Sequence, residues 1–581
     1  VSVGEVQATF ASTLVDEWVR GGVAHAAVCP GSRSTPLALA LSRAAREGRL
    51  SLNVVLDERV AGFWALGVGR ATGRPAVVVT TSGTAAAELH PAVVEAHHGR
   101  VPLIACTADR PPELHHVGAP QTIEQVGLYA GALRWEVSPG VPDPGEAASW
   151  RSLGSRLVAE ACSGPAGPGP VHANLAFREP LVGEAGELPP GRPGGAPWHR
   201  VARPAPQAPA GLVQEVAGWA GRRGVVVAGA GAGPQEAVHA MAEALGWPVL
   251  ACPRSGARRP RKTTVAAADA LLRDPGFASH HRPEAVVRLG EPWASRVVGE
   301  WCGGLGEDVD QVVVGEGWAW ADPGRVASVV AEAEPGSFCR AVAARVGRRP
   351  AEGWLASWAD AEAGAQEAIS GVLDEHPEPT EPGVARAVMA SVPAEGTLVV
   401  ASSMPVRDLE WYGPALEAPA RVLANRGANG IDGTLATALG VAAATPRGVV
   451  ALVGDLAFLH DAGALAGAGA AGVVVVVVDN GGGGIFSFLP QARMLGGEEF
   501  ELLFGTRPRV DVGEVAAGYG LNVVEVEEAA GVGRALRRAL ERGRAEVVRV
   551  RTDRAANVAV HAELHRAVAG AIRERGERGW C

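Results

Sequence analysis

The chain runs Val449-Val450-Ala451-Leu452-Val453-Gly454-Asp455-Leu456 and, further on, Val473 through Val478 followed by Asp479-Asn480-Gly481-Gly482. Two apolar, valine-rich runs, each stopping at a polar turn that carries glycine, predict buried strands over Val449–Val453 and Val473–Val478. From Gly463 to Val478 every residue is Gly, Ala, Leu or Val. That stretch falls short of the ~20 residues needed to span a bilayer and changes from small to β-branched residues midway, so it predicts a helix followed by a buried strand. Strand, helix, strand with both strands apolar is a parallel crossover. It puts Asp455 and Asn480 side by side beyond the carboxyl ends of neighbouring strands, where open α/β sheets bind ligands. A carboxylate, an amide oxygen and a backbone carbonyl from the glycine turn suit a hard divalent cation such as Mg2+. The same turn would let backbone N–H groups close on a diphosphate bridged to that cation. Gly-Asp and Asn-Gly are also ordinary turn dipeptides, and the pair alone does not separate the two readings.

The alternation continues in both directions. Upstream, Ala24–Val28, Leu52–Leu56, Ala76–Thr80 and Val101–Cys106 predict strands, Leu37–Arg46 and Val60–Ala71 predict helices, and Ser82-Gly83-Thr84 opens another helix running to about His97. Gly224–Ala228 begins a second series, an acidic helical stretch covers Glu352–Glu375, and Leu398–Ala401 begins a third. The expected fold class is therefore α/β, with three tandem doubly wound parallel-sheet domains. Their expected extents are 1–185, a linker over 186–211 dense in Pro, Gly and Arg, a central domain over 212–350, a helical connector over 351–380 and a last domain over 381–581. The first and third series could be related modules.

Composition limits the function classes. The 581 residues include 53 Lys+Arg against 63 Asp+Glu, a formal charge of −10, which argues against a nucleic-acid coat or a polybasic membrane binder. Seven scattered cysteines show no metal-ligand spacing, and a disulfide framework is not expected in a chain of this size. Val1-Ser2-Val3-Gly4-Glu5-Val6 lacks a basic segment leading into an apolar one, so the expectation is a soluble, cytoplasmic protein.

Glu58 follows the strand Leu52–Leu56 and precedes an apolar helix, a setting that would leave its carboxylate partly desolvated, although Glu in a first helical turn is also dipole-friendly. Arg33, Arg110, Arg407 and Arg426 are all expected in strand-end loops, as bidentate clamps for carboxylate or phosphate would be. Each alone reads as a solvated surface arginine; several at one rim would suit a polyanionic substrate. Gly229-Ala230-Gly231-Ala232-Gly233-Pro234 resembles a dinucleotide turn, but Pro234 stands where the third glycine is needed.

These turns, the upstream Glu and three α/β segments resemble the thiamine-diphosphate-dependent decarboxylase superfamily. Five stretches are similar to its menaquinone-pathway branch: Pro30-Gly31-Ser32-Arg33-Ser34-Thr35-Pro36-Leu37, Thr81-Ser82-Gly83-Thr84-Ala85, Ala108-Asp109-Arg110-Pro111-Pro112-Glu113-Leu114, Asn425-Arg426-Gly427-Ala428 and Gly484-Ile485-Phe486-Ser487-Phe488-Leu489-Pro490. The resemblance spans essentially the whole chain and is densest in its first and third segments. It implies thiamine diphosphate as cofactor, with Mg2+ or Mn2+ held by Asp455, Asn480 and the Gly482 carbonyl. Ser82, Gly83, Gly454 and Leu456 would line the cofactor, Ile431 would support it from below, and Ile485 and Phe486 would form an apolar wall. Glu58 of the neighbouring subunit would hydrogen-bond the aminopyrimidine ring, which implies a homodimer or a dimer of dimers.

The implied activity is that of a transferase that decarboxylates 2-oxoglutarate and adds the succinyl unit to isochorismate. Ser32, Arg33 and Arg407 would join Glu58 in catalysis, and Arg110, Gln121, Arg296, Ser403 and Arg426 would bind substrate. The chain departs from that branch at Arg296, where relatives carry Lys, at Glu88 for Asn, and at Arg507-Pro508 for Pro-His. An acetolactate-synthase-like carboligase is the nearest rival, but a pyruvate site needs only one carboxylate anchor. A flavin or nicotinamide oxidoreductase would need the glycine pattern that Pro234 breaks.

Overall fold

The computed structural model describes residues 2–202, 206–317, 320–347, 353–445 and 448–576. Cys581 and the expected boundary at 350/351 lie outside the described residues. Three six-stranded sheets make up the fold, and all their strand pairings are parallel. The first reads, in spatial order, Ser51–Val54, His25–Val28, Ala76–Thr80, Leu103–Asp109, Pro170–Ala176 and Trp135–Val137. The third reads Arg421–Leu423, Thr397–Val400, Val449–Gly454, Val474–Asp479, Glu546–Arg551 and Asn522–Val526. Numbered by chain order within each sheet, both follow 2-1-3-4-6-5, as related modules should.

The central sheet follows 3-2-1-4-5-6, the order of dinucleotide-binding folds. Its glycine-rich turn has a packing reason instead: a Cβ on Gly229 would fall 1.6 Å from the Glu291 carbonyl oxygen, and one on Gly290 would fall 2.2 Å from that of Ala230. The two turns pass each other backbone to backbone, which only glycine allows.

Two compact units emerge. One comprises Val1–Arg203, Asn425–Pro446 and His460–Ala471; the other comprises Pro204–Ala424, Arg447–Leu459 and Gly472–Cys581. In the first unit the strands Ala76–Thr80 and Leu103–Asp109 are buried along their whole length, as central strands of a sheet covered on both faces must be. The helix Glu58–Thr72 packs there on the helix Thr434–Ala444 so closely that a Cβ on Gly67 would lie 2.1 Å from the Thr437 carbonyl oxygen. Among the described residues, no helix is long and apolar enough to cross a membrane.

Several boundaries differ from expectation. The helix expected from Ser82 to His97 is two, Thr84–Ala87 and His90–His98, because Pro91 has no N–H to offer the preceding turn. The strand expected over Val101–Cys106 runs instead from Leu103 to Asp109, and Asp109 is kept inside by the Asn174 side-chain amide, which donates to it at 2.8 Å. Arg407 sits within the helix Met404–Tyr412 and not in a loop; Pro405 in its first turn is pre-set for helix.

Asp461 accepts a hydrogen bond from Ala436 N at 2.9 Å at the start of Thr434–Ala444, and burial pushes its carboxyl up to about 7. A native carboxyl titrating above its unfolded value of 3.8 binds more protons folded than unfolded, so stability is lost as pH rises from about 4 to about 7. Asp461→Asn should remove that part of the loss, on the order of 4 kcal/mol at most. Denaturant unfolding of both proteins between pH 4 and 8 checks this: the variant should gain relative to wild type as pH rises.

Candidate active site

In the second unit the strands Val449–Gly454 and Val474–Asp479 lie side by side with Gly454 opposite Val478, so Asp455 and Asn480 emerge from adjacent strand ends. Asp455 opens the helix Asp455–His460 and is 2% exposed. One of its oxygens accepts from Leu456 N and the other from Gly482 N, both at 2.7 Å, while burial pushes its carboxyl up to about 6. Gly482 takes φ +137°, and a Cβ there would stand 2.0 Å from the Gly505 carbonyl oxygen, so this turn can be built only with glycine.

The Asn480 side chain donates through Nδ2 to Glu381 Oε1 at 2.8 Å, whereas its Oδ1 is buried and accepts no hydrogen bond among the described residues. An orphaned buried amide oxygen next to the strand that delivers a buried carboxylate is what an oxygen-ligated divalent cation would satisfy. Among the described residues no group of three or more His, Cys, Asp or Glu could hold a metal, so such an ion would depend on the amide and backbone oxygens. Ile485 and Phe486 belong to the next turn, Gly484–Phe488, and Phe486 packs on Phe504 with ring centroids 5.4 Å apart. Gly454 closes its strand and Leu456 is half-buried in the first helical turn.

In the first unit, Asp57 caps the helix Glu58–Thr72 by accepting from Arg59 N at 2.9 Å, and Glu58 is its first residue. The Glu58 carboxylate is half-buried and engages no hydrogen bond or ion pair among the described residues. Burial, reinforced by Glu58 and Asp57, pushes the Cys29 thiol far up, which leaves it no nucleophilic role near neutral pH.

Arg110 donates to the Ser82 hydroxyl and, at 3.2 Å, to the Gln121 carbonyl, which also accepts from Ser82 Oγ at 2.8 Å. Gly83, at φ +83°, donates its N–H to Gln125 Oε1 at 3.0 Å. Arg33 is 8% exposed, donates to the Phe177 carbonyl at 2.9 Å and lies 3.4 Å from Glu179; its Nε is buried and bonds to nothing among the described residues. Burial lowers the Arg110 guanidinium, and the charge on Arg33 adds to that. Asp109 and Glu179 offset part of that repulsion, and an anion between the two guanidinium groups would relieve the rest. The structure thus gathers Arg33, Ser82, Arg110 and Gln121, with Ser32 exposed on the turn before Arg33.

Arg407 donates back to the carbonyls of Ser402 and Ser403 at 3.0 and 2.7 Å, and burial lowers its guanidinium. Arg296 stands apart, on the solvent side of the helix Arg296–Gly303, with its side chain 83% exposed and paired to Glu300 at 2.6 Å. Arg426 and Ile431 belong to the segment between Arg421–Leu423 and Thr434–Ala444; Arg426 is half-buried and Ile431 is 37% exposed.

Sequence reading missed the groups that hold these elements. Glu95, 2% exposed, accepts from Gly427 N at 2.8 Å, from Ala428 N at 2.6 Å and from Arg70 at 3.0 Å, and so fixes the backbone just after Arg426. Arg258, 1% exposed, donates to the carbonyls of Leu409, Glu410 and Gly413 at 2.9, 2.9 and 2.8 Å and caps the helix that carries Arg407. Glu410 on that helix accepts from Ala294 N and Ser295 N at 3.0 and 2.8 Å. Nothing local in the sequence marks them: Glu95 stands between Val94 and Ala96, Arg258 lies among Arg254, Arg259, Arg261 and Lys262, and Glu410 follows Arg407 and Asp408.

Three family profiles match the chain: "Thiamine pyrophosphate enzyme, N-terminal TPP binding domain" over residues 8–128, "Middle domain of thiamine pyrophosphate" over 194–400 and "Thiamine pyrophosphate enzyme, C-terminal TPP binding domain" over 411–550. They define the class as the thiamine pyrophosphate enzymes. The chain is 42% identical to the 2-succinyl-5-enolpyruvyl-6-hydroxy-3-cyclohexene-1-carboxylate synthase of Myxococcus xanthus, over 98% of both chains. It is 43% identical to that of Rubrobacter xylanophilus, covering 96% of this chain and 97% of the other. With that of Thermobifida fusca the identity is 44%, over 97% and 99%. At such identity and coverage, the chain belongs to this synthase family.

Glu95→Ala removes the acceptor of two backbone N–H groups and an arginine at a buried position, and should cost about 3–5 kcal/mol. Urea unfolding measures it; a loss below about 1 kcal/mol would mean that Glu95 does not hold the Arg426 segment.

Proposed function

We propose that this chain makes 2-succinyl-5-enolpyruvyl-6-hydroxy-3-cyclohexene-1-carboxylate, by decarboxylating 2-oxoglutarate and adding the succinyl unit to isochorismate, as a transferase of menaquinone biosynthesis. The single observation that carries the reading is coverage: synthases of that name from three organisms align with at least 96% of the chain. Thiamine diphosphate, when bound, supplies the electron sink that loss of CO2 from a 2-oxo acid requires.

The chain's own residues bind, orient and move protons around that cofactor. Glu58, contributed by the partner subunit of a homodimer or dimer of dimers, would hold a proton at the aminopyrimidine nitrogen. Asp455, Asn480 and the Gly482 carbonyl would hold Mg2+ or Mn2+, and with it the diphosphate. Ser82, Gly83, Gly454 and Leu456 would line the cofactor, while Ile431, Ile485 and Phe486 would exclude water from it.

Both substrates are dicarboxylates, and Arg33, Arg110, Arg407 and Arg426, with Ser32, Gln121 and Ser403, would receive them. Arg296 would join only by releasing Glu300. The paired field at Arg33 and Arg110 favours this reading over a pyruvate carboligase, which has one carboxylate to hold. The setting would be the cytoplasm, with neither membrane nor nucleic acid as partner.

The deciding assay follows CO2 release from 2-oxoglutarate with cofactor and Mg2+, with and without isochorismate. Isochorismate-dependent product with little turnover of pyruvate is expected; turnover of pyruvate at a comparable rate would overturn the assignment. A buried arginine–carboxylate contact contributes about 2–3 kcal/mol, so Arg426→Ala should lower kcat/KM more than about tenfold. Unchanged kinetics for both substrates would remove Arg426 from the clamp. Removing a proton-handling group costs about 10²–10⁴ in rate, which is the drop expected in kcat for Glu58→Gln.

A further inference from the structure

Glu381 is the first residue of the helix Glu381–Ser391 and is 3% exposed. Burying a carboxyl is costly unless it is paired, yet no arginine, lysine or histidine forms an ion pair with it among the described residues. Its hydrogen-bond partners are Asn480 Nδ2, at 2.8 Å, and the Thr552 hydroxyl, at 3.4 Å, both donating to Oε1. A stabilising ion pair is therefore not why this carboxyl is inside.

What it does is decide the orientation of an amide. The two ends of an asparagine side chain are alike in shape and opposite in hydrogen-bonding sense, so a neighbour must choose between them. Glu381 Oε1 accepts from the Thr552 hydroxyl as well as from Asn480 Nδ2, so any proton on this carboxyl belongs to Oε2, and Oε1 captures the N–H end of the amide. Gly484 leaves the space this side chain needs, since a Cβ there would lie 2.5 Å from Nδ2, but the hydrogen bond is what chooses between the two ends. With Nδ2 committed to Glu381, Oδ1 is left buried and without a hydrogen bond among the described residues.

We propose that Glu381 is a positioning residue for the cation site, holding the Asn480 amide nitrogen so that the amide oxygen is presented to the metal. The inference rests on the reading of Asp455, Asn480 and the Gly482 carbonyl as ligands, and Glu381 itself touches no metal in it. Partners that orient metal ligands from behind typically contribute 10–100-fold in metal affinity.

The test is Mn2+ binding followed by electron paramagnetic resonance on enzyme saturated with thiamine diphosphate. Wild type is compared with Glu381→Met, Glu381→Gln and Asn480→Ala, and thermal unfolding of each metal-free protein is measured alongside. Glu381→Met should weaken Mn2+ binding 10–100-fold while still folding, whereas Glu381→Gln, whose amide oxygen is also an acceptor, should stay within about threefold of wild type. Asn480→Ala should lose at least as much as Glu381→Met.

A folded Glu381→Met with wild-type affinity would overturn the inference. So would a folded Glu381→Gln that loses the ion, since that would make the carboxylate a ligand; this second arm decides the matter if the Met variant does not fold. Wild type that takes up no Mn2+, or Asn480→Ala that binds like wild type, would instead bring down the ligand reading on which the inference stands.

Discussion

The structure depends first on one register: Gly454 opposite Val478 in neighbouring parallel strands. Parallel pairing fixes which residues emerge together, and a slip of one position would turn Asp455 or Asn480 onto the wrong face of the sheet. The strands are held there by valine side chains buried on both faces, so the position of a polar site is set by apolar packing. The glycine turn after Asp479 then folds back far enough for Gly482 N to reach the Asp455 carboxylate. A polar cradle on such a frame needs few side chains, because most of its groups are backbone.

Buried charge of the two signs is handled differently. Asp455, Asp461 and Glu381 are carboxyls whose burial raises their proton affinity, and each is met by N–H or hydroxyl donors, with no arginine bonded to it among the described residues. Arg33 and Arg110, in contrast, are cations held close together with incomplete matching. Carboxyls buried without a cation and guanidinium groups set within each other's field are both unfavourable for folding alone, and such perturbed groups cluster at functional sites.

Much of this was legible in the sequence where the signal is local. Valine runs ended by Gly-Asp and Asp-Asn-Gly-Gly gave the strands and their order, and the position of Glu58 after a strand gave its place at a helix start. Pro91 and Pro405 were visible but outweighed by helical composition in one case and by loop-like composition in the other. What could not be read is contact between distant segments. Glu95 meets Gly427 across 332 positions, Arg258 meets Glu410 across 152, and Glu381 meets Asn480 across 99. Each is a single charged residue whose purpose depends on where a remote loop arrives, and no periodicity encodes that.

The shared winding of the first and third sheets gives their loops equivalent positions at the strand ends. In each, the first strand is followed by a serine and an arginine (Ser32 and Arg33; Ser403 and Arg407), and the second leads to Glu58 or to the Arg426–Ile431 segment. The third leads to Ser82 or Asp455, and the fourth to Arg110 or Asn480. Equivalent loop positions on two sheets of the same winding thus carry different side chains, so a single framework presents two chemically distinct rims at its four strand ends.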